Sequence, residues 1–297
     1  MEKIRLLSKI KEIYAQRKNI IRYLKDTEHR NYNTIEDIMI SYDFQAGSYS
    51  RRYHNQLEYY QRYTSEIGSI LDRLGPCDSL LEAGVGEATT LGPLLTKMTK
   101  MPENVYGFDV SWSRVKYARK FLDSLKLPTP QLFVGDLFNI PLKDNSIDIV
   151  YTSHAIEPNG GREREALTEL YRITSKYLVL LEPCYELADA KAQARMWEHG
   201  YIRNLYDTAQ ELGYRITEYR LLGINANPLN PTGLMIIEKN ESLRDPGTFC
   251  CPVTKTDLLR VKNAFYSPDA MLAYPTLDDI PCLLPQHAIL ATKFMES

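Results

Sequence analysis

Between residue 78 and about residue 240, short β-rich runs alternate with helical stretches, and this constrains the fold more than any other feature. Strands are expected at Ser79–Ala83, Asn104–Asp109, Gln131–Val134, Asp148–Ser153 and Tyr177–Leu181, then at Tyr214–Tyr219 and Leu234–Glu238. Helical runs such as Ser111–Leu125 and Arg162–Thr174 separate most of them. Adjacent parallel strands need a crossover, which a helix supplies, so the pattern predicts an α/β fold, a doubly wound sheet with helices on both faces. Ligands of such sheets lie at the carboxyl ends of the strands, near the switch point. The residues at those ends are the candidates for chemistry.

The first strand runs into Glu82, Ala83, Gly84, Val85 and Gly86, and a helix follows. Two glycines one residue apart let the backbone turn tightly and approach a ligand closely. A dinucleotide fingerprint would place a third glycine where Thr89 stands, and Glu82 before the turn would repel a pyrophosphate. The second strand ends in Asp109, able to accept both hydroxyls of a ribose, followed by Val110 and by Ser111 as the N-cap of the next helix. The third ends in Asp136 and Leu137, the fourth in Ser153 and His154.

These four ends together resemble the class I S-adenosylmethionine-dependent methyltransferases over roughly residues 75–240. The resemblance implies that Glu82, Ala83, Gly84 and Gly86 form the first cofactor motif and that Asp109 and Val110 serve the ribose. Asp136 and Leu137 would contact adenine, and Ser153 would face the cofactor. It also implies a strand order of 3-2-1-4-5-7-6 with strand seven antiparallel, and S-adenosylmethionine as cofactor. Glu82 replaces the commoner Asp, and Glu87 a frequent small residue.

For the acceptor, His154 is a candidate general base and Glu157 its neighbour, though Glu157 could equally cap a helix. Glu157, Glu182 and Glu186 near the expected mouth suggest an amine held by charge-assisted hydrogen bonds, so a small amine-bearing molecule methylated on nitrogen or oxygen is the favoured reading. Tyr185 and His199, with Trp197, are further acceptor candidates. Upstream, Phe44 to Tyr49 with Arg52 and Tyr53 is expected to fold over the cofactor as a lid, with Tyr49 and Tyr53 facing substrate. The alternatives are an RNA or protein methyltransferase and a non-catalytic cofactor-binding protein.

The flanks complete three regions: helical residues 1–75, the sheet domain 76–240, and a small α+β unit at 248–297 beyond a polar linker, residues 241–248. Within the first, Ser41–Ser50 reads as a loop. In the third, Cys251-Pro-Val-Thr254, Tyr274-Pro and Ile280-Pro-Cys-Leu-Leu284 resemble the small zinc-ribbon family that includes a methyltransferase activator subunit. Thr254 stands where metal-binding members have cysteine, and residues 259–273 hold none, so the unit is expected to bind no zinc and to pack on the catalytic domain.

At 44% hydrophobic and 25% charged, the composition is that of a globular chain and excludes a disordered one. No apolar run nears the ~18–20 residues that span a bilayer. The five scattered cysteines and a start without an apolar leader fit the cytoplasm. Residues 1–30 carry nine Lys/Arg against four Asp/Glu, yet the chain totals −2, so a solvated helix face is favoured over a nucleic-acid contact. The N-terminal helices also offer a surface for a homodimer.

Overall fold

The computed structural model describes residues 2–30, 32–242 and 245–296; Met1 and, in the expected linker, Leu243 and Arg244 lie outside the described residues. The N-terminal region is five helices: α1 (Leu7–Ala15), α2 (Ile20–Thr27), α3 (Ile35–Phe44), α4 (Ser48–Asn55) and α5 (Leu57–Arg73). Asn19 caps α2 by accepting from Arg22 N–H at 2.9 Å, and Thr34 with Asp37 forms a capping box on α3. The loop expected at Ser41–Ser50 shrinks to residues 45–47, because α3 runs on to Phe44 and α4 starts at Ser48. Gly47, at φ +86°, makes the turn between them. Ile10, Ile13, Ile20, Leu24 and Ile40 give these helices a small core of their own.

The sheet domain follows as β1 (Ser79–Ala83), α6 (Leu91–Leu95), β2 (Asn104–Asp109), α7 (Trp112–Ser124), β3 (Gln131–Val134) and β4 (Ile147–Ser153). It continues with α8 (Glu163–Ile173), β5 (Thr174–Pro183), α9 (Ala190–His199), α10 (Leu205–Glu211), β6 (Arg215–Leu221) and β7 (Thr232–Glu238). The strand order is β3-β2-β1-β4-β5-β7-β6, and β7 runs antiparallel to both neighbours, as the resemblance implied. Period-two alternation sends Leu80, Ile149 and Val179 to one face, under α5 and α7. Leu81, Val150 and Leu178 go to the other, under α8 and α10.

The C-terminal unit is β8 (Leu259–Val261), β9 (Ala264–Ser267), β10 (Leu272–Leu277), β11 (Ile280–Pro281) and β12 (Ile289–Leu290), all paired antiparallel. Where an α+β unit was expected, the described residues hold strands and one short 3-10 turn, Pro285–His287. This unit closes the free edge of the large sheet. Cys282 pairs in parallel with Val134 of β3, and Leu283 N–H donates to Val134 O at 2.9 Å. The chain then straddles the sheet: Cys282 and Leu284 join the core on one face, Leu283 and Tyr274 the core on the other. An edge with unpaired backbone groups is an aggregation hazard, and this contact covers it.

Because Leu283 is fully buried in the core of the large sheet, Leu283→Ala should cost about 2–5 kcal/mol. Urea unfolding should show one transition moved as a whole. Two transitions, with only a minor one shifted, would show instead that the C-terminal unit folds independently.

Candidate active site

A cavity opens at the carboxyl ends of β1 to β4, lined by Gly84, Asp109, Val110, Gly135, Leu137 and Ser153 on one side and by His154, Glu157, Tyr42 and Tyr49 on the other. Its floor depends on glycine. A Cβ on Gly84 (φ +74°) would stand 2.4 Å from the Ala155 Cβ, so the loops after β1 and β4 cross at a distance no other residue allows. Asp109 is 6% exposed and holds the next turn: Oδ2 accepts Gly86 N–H at 3.1 Å, and Oδ1 accepts Ser111 N–H at 2.9 Å. Ser111 caps α7 as expected, accepting Arg114 N–H at 3.1 Å.

Of the residues expected to hold the cofactor, Gly84, Asp109, Val110, Leu137 and Ser153 line the cavity. Glu82, Ala83, Gly86 and Asp136 stand behind it. Glu82 is 2% exposed beneath the glycine turn and accepts the Tyr151 hydroxyl hydrogen at 2.9 Å. Burial pushes its pKa up to about 8 against that hydrogen bond. Asp136 folds back on its own turn, accepting Phe138 N–H at 2.9 Å.

The acceptor candidates divide. His154 sits in the left-handed region at φ +56°, with Nδ1 2.5 Å from Glu157 Oε2 and Nε2 2.8 Å from Thr232 Oγ1. Burial works against its charge, but Glu157 outweighs it and raises its pKa above the ordinary value. Burial would raise the Glu157 carboxyl, yet His154, Tyr201 and Asn230 hold it below the ordinary range. Both ring nitrogens of His154 therefore have protein partners, and the contact favours an ionised Glu157 beside a protonated His154.

Five residues expected at the acceptor site, Glu182, Tyr53, Tyr185, Glu186 and His199, do not line the cavity. Glu182 is no amine ligand: it is 2% exposed, and its two oxygens accept Ala155 N–H at 2.9 Å, Ile156 N–H at 3.1 Å and Glu157 N–H at 3.1 Å. Those bonds fix the loop that presents His154 and Glu157; burial raises the Glu182 pKa to about 7 against them. Tyr53 is 7% exposed and packs on Tyr60 and Phe121, away from the cavity. Tyr185 is half-buried outside the cavity, where its carbonyl accepts Gln193 Nε2 at 3.0 Å. Glu186 accepts Tyr206 N–H at 3.4 Å, so all three acidic mouth residues have protein partners and the premise of an amine-binding mouth falls away. His199 is exposed at the end of α9, on a wider groove outside the cavity, and Trp197 is exposed under the Arg203 guanidinium.

The residues that hold the lid were not singled out by sequence. Glu87, read only as a substituted small residue, caps α4: its oxygens accept Gly47 N–H at 2.9 Å, Tyr49 N–H at 3.2 Å and Ser50 N–H at 2.8 Å. Asp43 at the end of α3 accepts the Ser111 hydroxyl at 2.8 Å and the Ser113 hydroxyl at 3.0 Å at the start of α7. Arg114 lies between the Tyr42 and Tyr49 rings, 4.9 and 4.5 Å from their centroids, and 3.7 Å from Asp109. The local signals were present, a carboxylate opposite a Gly-Ser helix start and an arginine among tyrosines, but their partners lie 37 to 72 residues apart.

Residues 81–178 match the family described as "Methyltransferase domain". A magnesium protoporphyrin IX methyltransferase from Synechocystis, solved with bound SAH, superposes with a TM-score of 0.52 at 14% identity, over 67% of this chain and 98% of that one. A complex of the Haloferax volcanii Trm112 methyltransferase activator with a putative methyltransferase gives a chain matching at TM-score 0.52 and 17% identity, over 69% of this chain and 100% of its own. A curated relative, an uncharacterized 37.1 kDa protein in a Streptomyces fradiae transposon, is 28% identical over 172 residues. The chain spans about half the length (48%) of that relative.

Glu82 gives a test of this electrostatic arrangement. A carboxyl raised to about 8 in the folded protein binds protons more tightly there than in the unfolded chain, ordinarily near ~4.3. Ionisation thus opposes folding, and its contribution falls as pH rises from about 4.5 to 8. Glu82→Gln, which keeps a partner for Tyr151, should flatten that decline in ligand-free thermal melts; an unchanged slope would show that Glu82 titrates normally. Residues 81–178 thus match a methyltransferase domain, within a sheet whose strand order is that of the class I methyltransferase fold.

Proposed function

We propose that the protein transfers a methyl group from S-adenosylmethionine to a nitrogen or oxygen nucleophile that enters between the N-terminal lid and Glu157. The observation that carries this reading is Asp109: a carboxylate at the end of β2, lining a cavity floored by the glycine turn, inside the methyltransferase domain. The donor set fits a sulfonium nucleoside better than a pyrophosphate. Gly86 N–H and Ser111 N–H, which a phosphate would need, are already taken by Asp109, and an anion would face both Asp109 and Glu157.

Bound S-adenosylmethionine would supply an electrophilic methyl group. Asp109 would take the ribose hydroxyls, with Val110 beside it, while Leu137 and the Asp136 turn would hold the base. Tyr42, Tyr49 and Arg114 close the cavity above and keep water out. Glu157 stays ionised and accepts the N–H or O–H hydrogen of the nucleophile, aligning its lone pair. His154 is a positioning residue: held by Thr232 at one nitrogen, it fixes Glu157 at the other. Protonation of His154 would pair off that charge, so turnover should rise with pH, with a midpoint above the ordinary ~6.5 because its pKa is raised.

Support for a second part of the reading comes from the C-terminal unit. Its contact with the free edge of β3 puts it where it can act within one chain as an activator that braces the sheet. From α7, Trp112 Nε1 and Arg119 Nη1 donate to Leu277 O and Asp278 O, at 3.3 and 2.7 Å. The methyltransferase–activator complex among the fold relatives favours this reading. Metal analysis tests the zinc-free proposal, which stoichiometric zinc would overturn.

Calorimetry with S-adenosylmethionine tests the cofactor assignment. Asp109→Ala should weaken binding at least about tenfold, matching the loss of one charge-assisted pair of ~1.5–3 kcal/mol. Unchanged affinity would refute the ribose assignment. Labelled methyl donor incubated with fractionated cell extract should mark an acceptor, and Glu157→Gln should cut that labelling about 10²-fold or more. Tight binding without label in any fraction would leave a cofactor-binding protein that is not an enzyme.

A further inference from the structure

A second, much larger groove shares Tyr42, Tyr49 and Pro158 with the cofactor cavity. Its volume is about 1350 Å³, above the ~300–1,000 Å³ typical of sites that enclose small molecules. The N-terminal helices and α9 form its walls, and the charge on them is one-sided. Arg17, Lys18, Arg22, Lys25, Arg51 and Arg52 line it with Arg30, against only Asp26 and Glu198. Arg30 is paired with Asp37, but none of the other six has an ion-pair partner among the described residues. The chain as a whole carries −2, so this is local segregation of charge rather than a basic protein.

Two further features mark the groove as more than a solvated surface. Tyr14, Tyr42, Tyr49 and Tyr201 lie along it, and Tyr42 and Tyr49 also line the cavity. Asn33, whose Nδ2 donates to Pro158 O at 2.7 Å, lines the groove with a buried Oδ1 that has no partner. Cations without ion-pair partners suit a phosphodiester backbone, and the exposed ring of Tyr14 suits an unstacked base. A duplex would have to unpair and flip its reacting base to reach a recessed cavity, a cost that a single strand largely avoids.

We infer that the groove seats a single-stranded nucleic-acid segment whose terminal or extruded nucleotide reaches Glu157, which makes that strand the methyl acceptor. This rests on the methyltransferase reading above. The free carboxylates that favoured an amine are engaged with the protein, and the cations that read as a solvated helix face instead line the approach to the site.

The test is fluorescence anisotropy with a labelled mixed-sequence 20-nucleotide strand, as RNA and as DNA, at several salt concentrations. The full-length chain should bind one or both, and the tighter arm identifies the sugar. Lys18→Glu/Arg22→Glu/Arg51→Glu should weaken binding at least tenfold and flatten the salt slope by about 2, at ~0.7 per cation for single strands. The control Lys97→Glu/Lys100→Glu/Lys262→Glu makes the same change in net charge at exposed positions off the groove and should stay within about twofold. Calorimetry with S-adenosylmethionine should be unaltered in both triple variants, which shows that they fold and separates this inference from the cofactor assignment. Strand binding indifferent to the groove substitutions, or a polyglutamate peptide of matched charge competing as well as the strand, would overturn the inference.

Discussion

The site is organised by one buried carboxylate. Asp109 ends β2, and its two oxygens hold the backbone of the glycine turn after β1 and the first turn of α7, with Arg114 close by. A buried carboxylate is costly unless hydrogen bonds satisfy it, so its position is tightly specified. The turn after β1, the start of α7 and the lid arginine are thereby set relative to one another. Glu182 does the same on the far side of the cavity, where three backbone N–H groups converge on it and present the loop that carries His154 and Glu157. Two acids, each spent on backbone amides, build the frame of the cavity that Glu157 lines.

The lid is tied to this frame by charge and hydrogen bonding rather than by apolar packing alone. Glu87 caps α4 from the cofactor loop, Asp43 caps α7 from the N-terminal helices, and Arg114 stacks between two lid tyrosines. Each link joins the N-terminal region to a loop at the strand ends, so the lid and the cofactor surface form one structure. It follows that the same helices which close the cavity also carry the basic groove: the approach to the site and its cover are made from one segment of chain.

The sheet was legible in detail because strand positions follow from burial and period, while its order came from the resemblance to the class I methyltransferases that the strand-end residues carry. β1, β2 and β3 begin and end where expected. β5 did not: it runs from Thr174 to Pro183 because it lies between two strands and pairs along its whole length, which the apolar run Tyr177–Leu181 under-reports. Tyr53 and Tyr49 illustrate the other limit. They lie four residues apart, near neighbours on a helix, yet one packs in the core and the other faces the cavity, and only the neighbours in space decide which.

By itself the sequence determined the α/β architecture and pointed to the strand ends where Gly84, Asp109 and Leu137 line the cavity, because these depend on local periodicity and on which residue ends which strand. Tertiary structure alone decided what each carboxylate is for. An acid can bind a ligand, cap a helix or hold a loop with the same local sequence around it, and the choice rests on the amides and cations that other segments bring within about 3 Å of its oxygens. The same holds for the N-terminal cations: their number is written in the chain, but that they line one groove leading to the site is a property of how five helices pack.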